Sequence, residues 1–103
     1  MIDLSFSFKG KCWLWQGKSA WHFISLPQDK SEEIMFFNES MHHKKRGWGA
    51  VRVKVTIGDT SWETSIFPHK AEKAYILPIK ADVRKKENLQ AGNEIFVKLE
   101  IDV

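Results

Sequence analysis

Hydrophobic and polar residues alternate with period two through most of the chain, the mark of strands with one buried face. Ile2, Leu4, Phe6 and Phe8 alternate with Asp3, Ser5, Ser7 and Lys9, which predicts a first strand. Gly10-Lys11 reads as a turn into a second strand, Cys12-Trp13-Leu14-Trp15. Gln16-Gly17-Lys18-Ser19 is a further turn signal, and Trp21 to Leu26 forms a third strand. Pro27 has no amide to donate and stops pairing there. Asp29-Lys30-Ser31-Glu32 has the capping-box arrangement, so a short helix is expected through Ile34 and Phe37, with Phe36 and Phe37 docking it on the core. Asn38 to Arg46 is polar and basic and reads as an exposed loop.

The second half alternates more regularly. Val51, Val53, Val55 and Ile57 face one way and Arg52, Lys54 and Thr56 the other. Gly58-Asp59 signals a two-residue hairpin, because glycine supplies the positive φ that such a turn requires. The returning strand runs from Thr60 to Phe67, ended by Pro68, and a charged connection from His69 to Lys73 leads to the strand Tyr75 to Ile79. Ala81 to Asn88 is expected to be helical. Ala91-Gly92-Asn93 then turns the chain into a last strand from Glu94 to Val103, with Ile95, Val97, Leu99 and Ile101 inward.

The two halves repeat a plan. Trp21-His22-Phe23-Ile24-Ser25-Leu26-Pro27 and Ala74-Tyr75-Ile76-Leu77-Pro78-Ile79 are both strand-like runs ending in Leu-Pro. Each leads to a charged, helix-like segment, then a glycine (Gly49, Gly92), then an alternating strand. Two β-α-β copies in so short a chain predict a mainly β fold: a small, pseudo-twofold barrel of about six to seven strands with two short helices.

Composition changes this picture little. A chain of 103 residues with 28% charged and 43% hydrophobic positions fits one domain, residues 1–103, with its own core. Cys12, the single cysteine, has no partner for an internal disulfide. The amino end, Met1-Ile2-Asp3-Leu4, lacks the basic-then-apolar pattern of a signal peptide, and the expected compartment is the cytoplasm. No apolar run approaches the roughly twenty residues that a membrane helix needs. A net charge of +3 is too small to argue for nucleic acid by itself.

Trp62-Glu63-Thr64-Ser65-Ile66-Phe67-Pro68 is the first candidate for chemistry. Alternation points Thr64 with Trp62 and Ile66, and Ser65 with Glu63 and Phe67, so an indole and a hydroxyl can meet at a barrel mouth. Packing alone also enriches strands in Trp and Thr. Lys80-Ala81-Asp82-Val83-Arg84 is the second: Lys80 and Arg84 are four apart, and beside a helix start they suit a phosphate or carboxylate. The competing reading is a solvated helix flank. The third is His42-His43-Lys44-Lys45-Arg46-Gly47-Trp48, where Lys44, Lys45 and Arg46 beside Trp48 could hold a nucleic-acid backbone and stack a base, or form an exposed basic loop. Adjacent histidines without a cysteine or carboxylate at ligand spacing do not make a zinc set, so neither metal nor cofactor is expected. Five tryptophans cannot all be buried in so small a core, and Trp13 and Trp15 share a strand face as part of an aromatic wall.

Gly47-Trp48-Gly49 before an alternating strand, Trp62-x-Thr64-Ser65-x-Phe67-Pro68, Leu77-Pro78-x-Lys80-x-x-Val83-Arg84-Lys85 and the Gly92-Asn93 turn together resemble the bacterial family built on domain of unknown function 1905. The amino-terminal third keeps a looser match in Trp21-x-Phe23-x-x-Leu26-Pro27. The resemblance implies a double-split β-barrel, similar in general build to the swapped-hairpin barrels of AbrB-type regulators, and implies no activity. Asn93 departs from the Gly-Asp that relatives often carry, and a turn tolerates either.

The residues favour a small binding module, a monomer or weak dimer, with a rim site for an anionic or aromatic small molecule or peptide. Trp62, Thr64, Ser65, Lys80 and Arg84 are its expected contacts. An AbrB-like nucleic-acid-binding regulator using the 42–48 segment is the alternative, resting on analogy of fold. An enzyme comes last, because no nucleophile elbow, phosphate-binding glycine loop or metalloprotease helix motif is present.

Overall fold

The computed structural model describes residues 5–16, 20–41, 49–71 and 73–101. Its strands are β1 (Ser5–Gln16), β2 (Ala20–Ser25), β3 (Val51–Ile57), β4 (Thr60–His69), β5 (Ala74–Pro78) and β6 (Glu94–Ile101), with helices α1 (Gln28–Met41) and α2 (Ala81–Glu87). The six strands close a barrel in the order β1-β2-β5-β4-β3-β6, every neighbouring pair antiparallel. Exchanging β1, β2 and β3 with β4, β5 and β6 leaves this ring unchanged, so the repeat legible in the sequence is also a symmetry of the topology.

Alternation places the core as expected. Val51, Val53, Val55 and Ile57 from β3 meet Ile95, Val97 and Leu99 from β6 inside the barrel, with Phe6, Phe8, Ile24, Ile66, Tyr75 and Leu77. Arg52 and Lys54 point to solvent. The β3–β4 hairpin turns through Gly58 at φ 58, and Asp59 is not among the positive-φ residues, matching the one-positive-residue form of hairpin turn. Gly92 takes φ 97 at the entry to β6, also as expected.

The amino-terminal strand count is corrected. Gly10-Lys11 is no turn: β1 runs unbroken through it, pairing with β6 over Ser5–Lys11 and with β2 over Cys12–Gln16. Gly10 sits at the hand-over between those partners, where the backbones crowd. A Cβ there would collide with Ile24 Cγ2 and lie 2.9 Å from the Ser25 carbonyl oxygen. The glycine marks a close approach, the other meaning it has inside a strand. Past it the ladder is completed by the loop before β6, since Cys12 N–H donates to Asn93 O (2.9 Å) and Gly92 N–H to Cys12 O (2.7 Å).

Pro68 does not end β4 either; it lies within the strand, opposite Tyr75. Pairing with β3 is over by Ile66, so beyond that point one edge of β4 needs no amide, and a proline costs no ladder bond.

Helix α1 begins earlier and ends later than its sequence suggests. Pro27 O accepts the Ser31 N–H at 2.9 Å, so Asp29 lies in the first turn instead of capping it. Asn38-Glu39-Ser40-Met41 contains no glycine or proline to stop the helix, and it runs on to Met41 instead of giving way to a loop at Asn38. Ser31, Ile34 and Met35 form its inward stripe at i, i+3, i+4. Phe36, expected to dock the helix, falls off that stripe and is 73% exposed.

Candidate functional site

A cleft of about 230 Å³ opens where β2 begins, β5 ends and α2 starts, against the middle of β4. Trp62, Glu63 and Thr64 line it from β4, Pro78 and Ile79 from the end of β5, Lys80 and Arg84 from α2 and its cap, and Trp21 and His22 from β2. Local rules explain each placement. Trp62 and Thr64 share the inward face with Ile66, lie opposite Val55 and Val53, and are both half-buried. Ile79 N–H donates to His22 O at 2.9 Å, which brings the start of β2 against the end of β5.

Helix α2 is fixed along its length. Lys80 caps it in an extended conformation, and its carbonyl accepts the Arg84 N–H at 3.1 Å. Val83 is buried beneath the helix. Asn88 closes the far end in the left-handed region, at φ 55 and ψ 50, as asparagine can. The Thr60 hydroxyl donates to Glu87 Oε2 at 2.6 Å, tying that end to the β3–β4 hairpin.

Two polar atoms of the cleft residues are buried without a hydrogen-bond partner, Arg84 Nε and His22 Nδ1. Lys80 and Glu63 are exposed at its edge, Glu63 lying across from Lys54. Burial pushes the Cys12 thiol above its ordinary pKa, and the Arg84 guanidinium offsets part of that rise.

The structure thus brings together Trp62, Thr64, Lys80 and Arg84. Ser65 is on the other face of β4, where its hydroxyl accepts a long hydrogen bond from Arg52 Nη1 at 3.4 Å, and it does not line the cleft. Lys44, Lys45, Arg46 and Trp48 lie outside the described residues. Trp21, His22, Glu63, Pro78 and Ile79 were not anticipated from sequence. The signal that finds them is the repeat itself: pairing the two Leu-Pro strands antiparallel sets Phe23 opposite Pro78, and hence Trp21 and His22 near Lys80.

The aromatic wall expected from Trp13 and Trp15 lies on the outside of the barrel. Trp13 packs on Phe23 (5.2 Å) and His69 (5.7 Å) and donates its indole N–H to Ser25 Oγ at 2.8 Å. Trp15 lies opposite Trp21, whose ring stacks on Phe23 at 6.1 Å. Trp15 and Trp21 are 47% and 51% exposed, so the tryptophans do stay partly at the surface.

Among the described residues no three His, Cys, Asp or Glu side chains gather as a metal site, and no helix is long and apolar enough to cross a membrane. Fold and site define a small, closed antiparallel barrel with a mixed aromatic and cationic cleft at its rim. Residues 8–99 match the family described as Domain of unknown function (DUF1905), and the chain belongs to that family. No curated protein matches it.

Proposed function

We propose that the protein is a small binding module whose rim cleft takes a small organic anion. The observation that carries this is Arg84: its Nε is buried without a partner, in the same cleft as Lys80, Thr64 and Trp62. Leaving a buried donor unpaired costs on the order of 1–3 kcal/mol, more when it is charged, and an anion held by the guanidinium removes that cost. Lys80 adds a second cation at the edge, Thr64 a hydroxyl, and Trp62 an apolar wall. Cys12 offers no reactive thiolate beside them, since it is buried and its thiol is pushed above its ordinary pKa.

The test is a titration of acetate, benzoate, inorganic phosphate and phenyl phosphate, followed by NMR of the Arg84 Nε–H and the Trp62 indole N–H. At least one anion should shift both signals saturably and raise the melting temperature, as a ligand of the folded state does. Arg84→Gln should abolish the response, and Arg84→Lys should weaken it, since lysine lacks the bidentate fork. Saturable binding of none of these anions would overturn the proposal, as would binding that Arg84→Gln leaves intact.

A further inference from the structure

We infer that the cleft selects an aromatic monocarboxylate that carries a hydrogen-bonding group on its ring. This rests on the anion-binding reading above and adds three restrictions, each from a different feature of the site.

Size gives the first. The cleft's volume of about 230 Å³ falls below the roughly 300–1,000 Å³ of pockets for drug-sized ligands, whereas an apolar cavity of about 150 Å³ takes benzene. One ring with small substituents fills it, whereas a dinucleotide or a longer peptide would extend out of it. The apolar lining matches a ring: Trp62 with Pro78 and Ile79.

Charge gives the second. Lys80 and Arg84 are opposed by Glu63 in the same lining, so these three side chains leave one net positive charge. A single carboxylate is neutralised there, whereas each further negative charge meets the Glu63 carboxylate with no third cation in the lining. Polyphosphates are therefore disfavoured.

His22 gives the third. Its buried, unpartnered Nδ1 comes from β2, on a different element from Arg84. A ligand that touches Arg84 through its acid and offers a hydroxyl or ring nitrogen elsewhere satisfies both orphaned groups at once. A site with buried polar groups rejects an analogue that lacks the matching group, because the site is then left unpaired.

Calorimetric titration of the three hydroxybenzoate isomers and the pyridine carboxylates, beside benzoate, acetate, benzyl alcohol and adenosine triphosphate, tests all three restrictions on the unaltered protein. At least one hydroxybenzoate or pyridine carboxylate should bind about tenfold or more tightly than acetate and benzyl alcohol. It should also exceed benzoate by about three- to tenfold, the worth of one neutral hydrogen bond. In His22→Phe that last advantage should be lost, so that the hydroxybenzoate or pyridine carboxylate binds no more tightly than benzoate binds to the same variant. If acetate binds as well as any ring acid, the anion-binding module stands and the aromatic inference is overturned. Tighter binding of adenosine triphosphate than of every monocarboxylate overturns it too, as does equal affinity of benzoate and its hydroxy and aza relatives. If nothing in the panel binds, both readings fall together.

Discussion

Gly10 and Gly92 separate two reasons for a glycine, and one pair of substitutions measures the difference. At Gly10 the obstacle is space: a Cβ would overlap Ile24 Cγ2, lie 2.9 Å from the Ser25 carbonyl oxygen and 3.3 Å from Phe8 Cε2. Ile24 is fully buried and the carbonyl is backbone, so neither neighbour can swing away, and relief requires β1 and β2 to part. Overpacking of that kind typically costs about 1–3 kcal/mol, and two immobile neighbours put Gly10→Ala at about 3. At Gly92 nothing lies within 4 Å of the added atom, but φ is 97, so the cost is conformational only, about 1–2 kcal/mol. Urea and thermal unfolding of both variants provide the assay. For a domain of this size about 3 kcal/mol lowers the melting temperature by well over ten degrees. The discriminating comparison is asparagine. Gly92→Asn should recover part of the loss of Gly92→Ala, because asparagine tolerates positive φ, whereas Gly10→Asn should be worse than Gly10→Ala. A Gly10→Ala variant with an unchanged midpoint would refute the close approach and revive a turn at that position.

Thr60→Val should lower stability by about 1.5 kcal/mol, the lower end for a hydrogen bond to a charged group, because Glu87 loses the hydroxyl that ties α2 to the hairpin. Unchanged urea unfolding would show that α2 is held without it. Burial raises the Cys12 pKa in the folded protein, so the folded thiol keeps its proton at pH values where the unfolded one has lost it. That contribution is complete below the unfolded thiol's pKa and declines as pH rises from there toward the folded value. Stability measured from pH 7 to pH 10 should therefore fall less steeply in Cys12→Ala than in the parent, and identical slopes would contradict the buried, protonated thiol. Arg84→Gln removes the charge that favours the thiolate, so alkylation of Cys12 by iodoacetamide should shift to higher pH; a shift to lower pH would remove Arg84 from the thiol's neighbourhood.

Strands whose two faces differ in polarity were legible residue by residue. In β3 and β6 the buried positions are those that alternation picks out, from Val51 to Ile57 and from Ile95 to Leu99. What failed was punctuation. Glycine at position 10 and proline at 68 read as breaks because their local effects are the same at a turn and inside a strand. Their actual roles depend on neighbours that are remote in sequence, Ser25 and Ile24 for the first and the end of β3 for the second. The cleft was half legible for the same reason. Trp62, Thr64, Lys80 and Arg84 follow from local alternation and helical spacing, whereas Trp21 and His22 join them only through the β2–β5 pairing.

The repeat also sets the two helices in equivalent places, where they pack differently. Under the twofold exchange, the place between the start of β2 and the end of β5 corresponds to the place between the start of β5 and the end of β2. There the longer helix α1 packs against β5. Ser31 is 1% exposed and its hydroxyl accepts the Tyr75 N–H at 2.9 Å, while Ile34, also 1% exposed, joins the core. The second half has only the seven residues of α2, which buries Val83 and turns the half-buried Arg84 toward the opening. Helix α1 contributes a hydrogen-bonded serine and an isoleucine to the interior, whereas α2 contributes Val83 and an arginine whose Nε is buried and unpaired. A buried unpaired donor costs free energy, so packing alone gives no reason for an arginine at this place. That difference between the two helices is the structural ground on which the proposed anion site lies at the α2 end of the barrel.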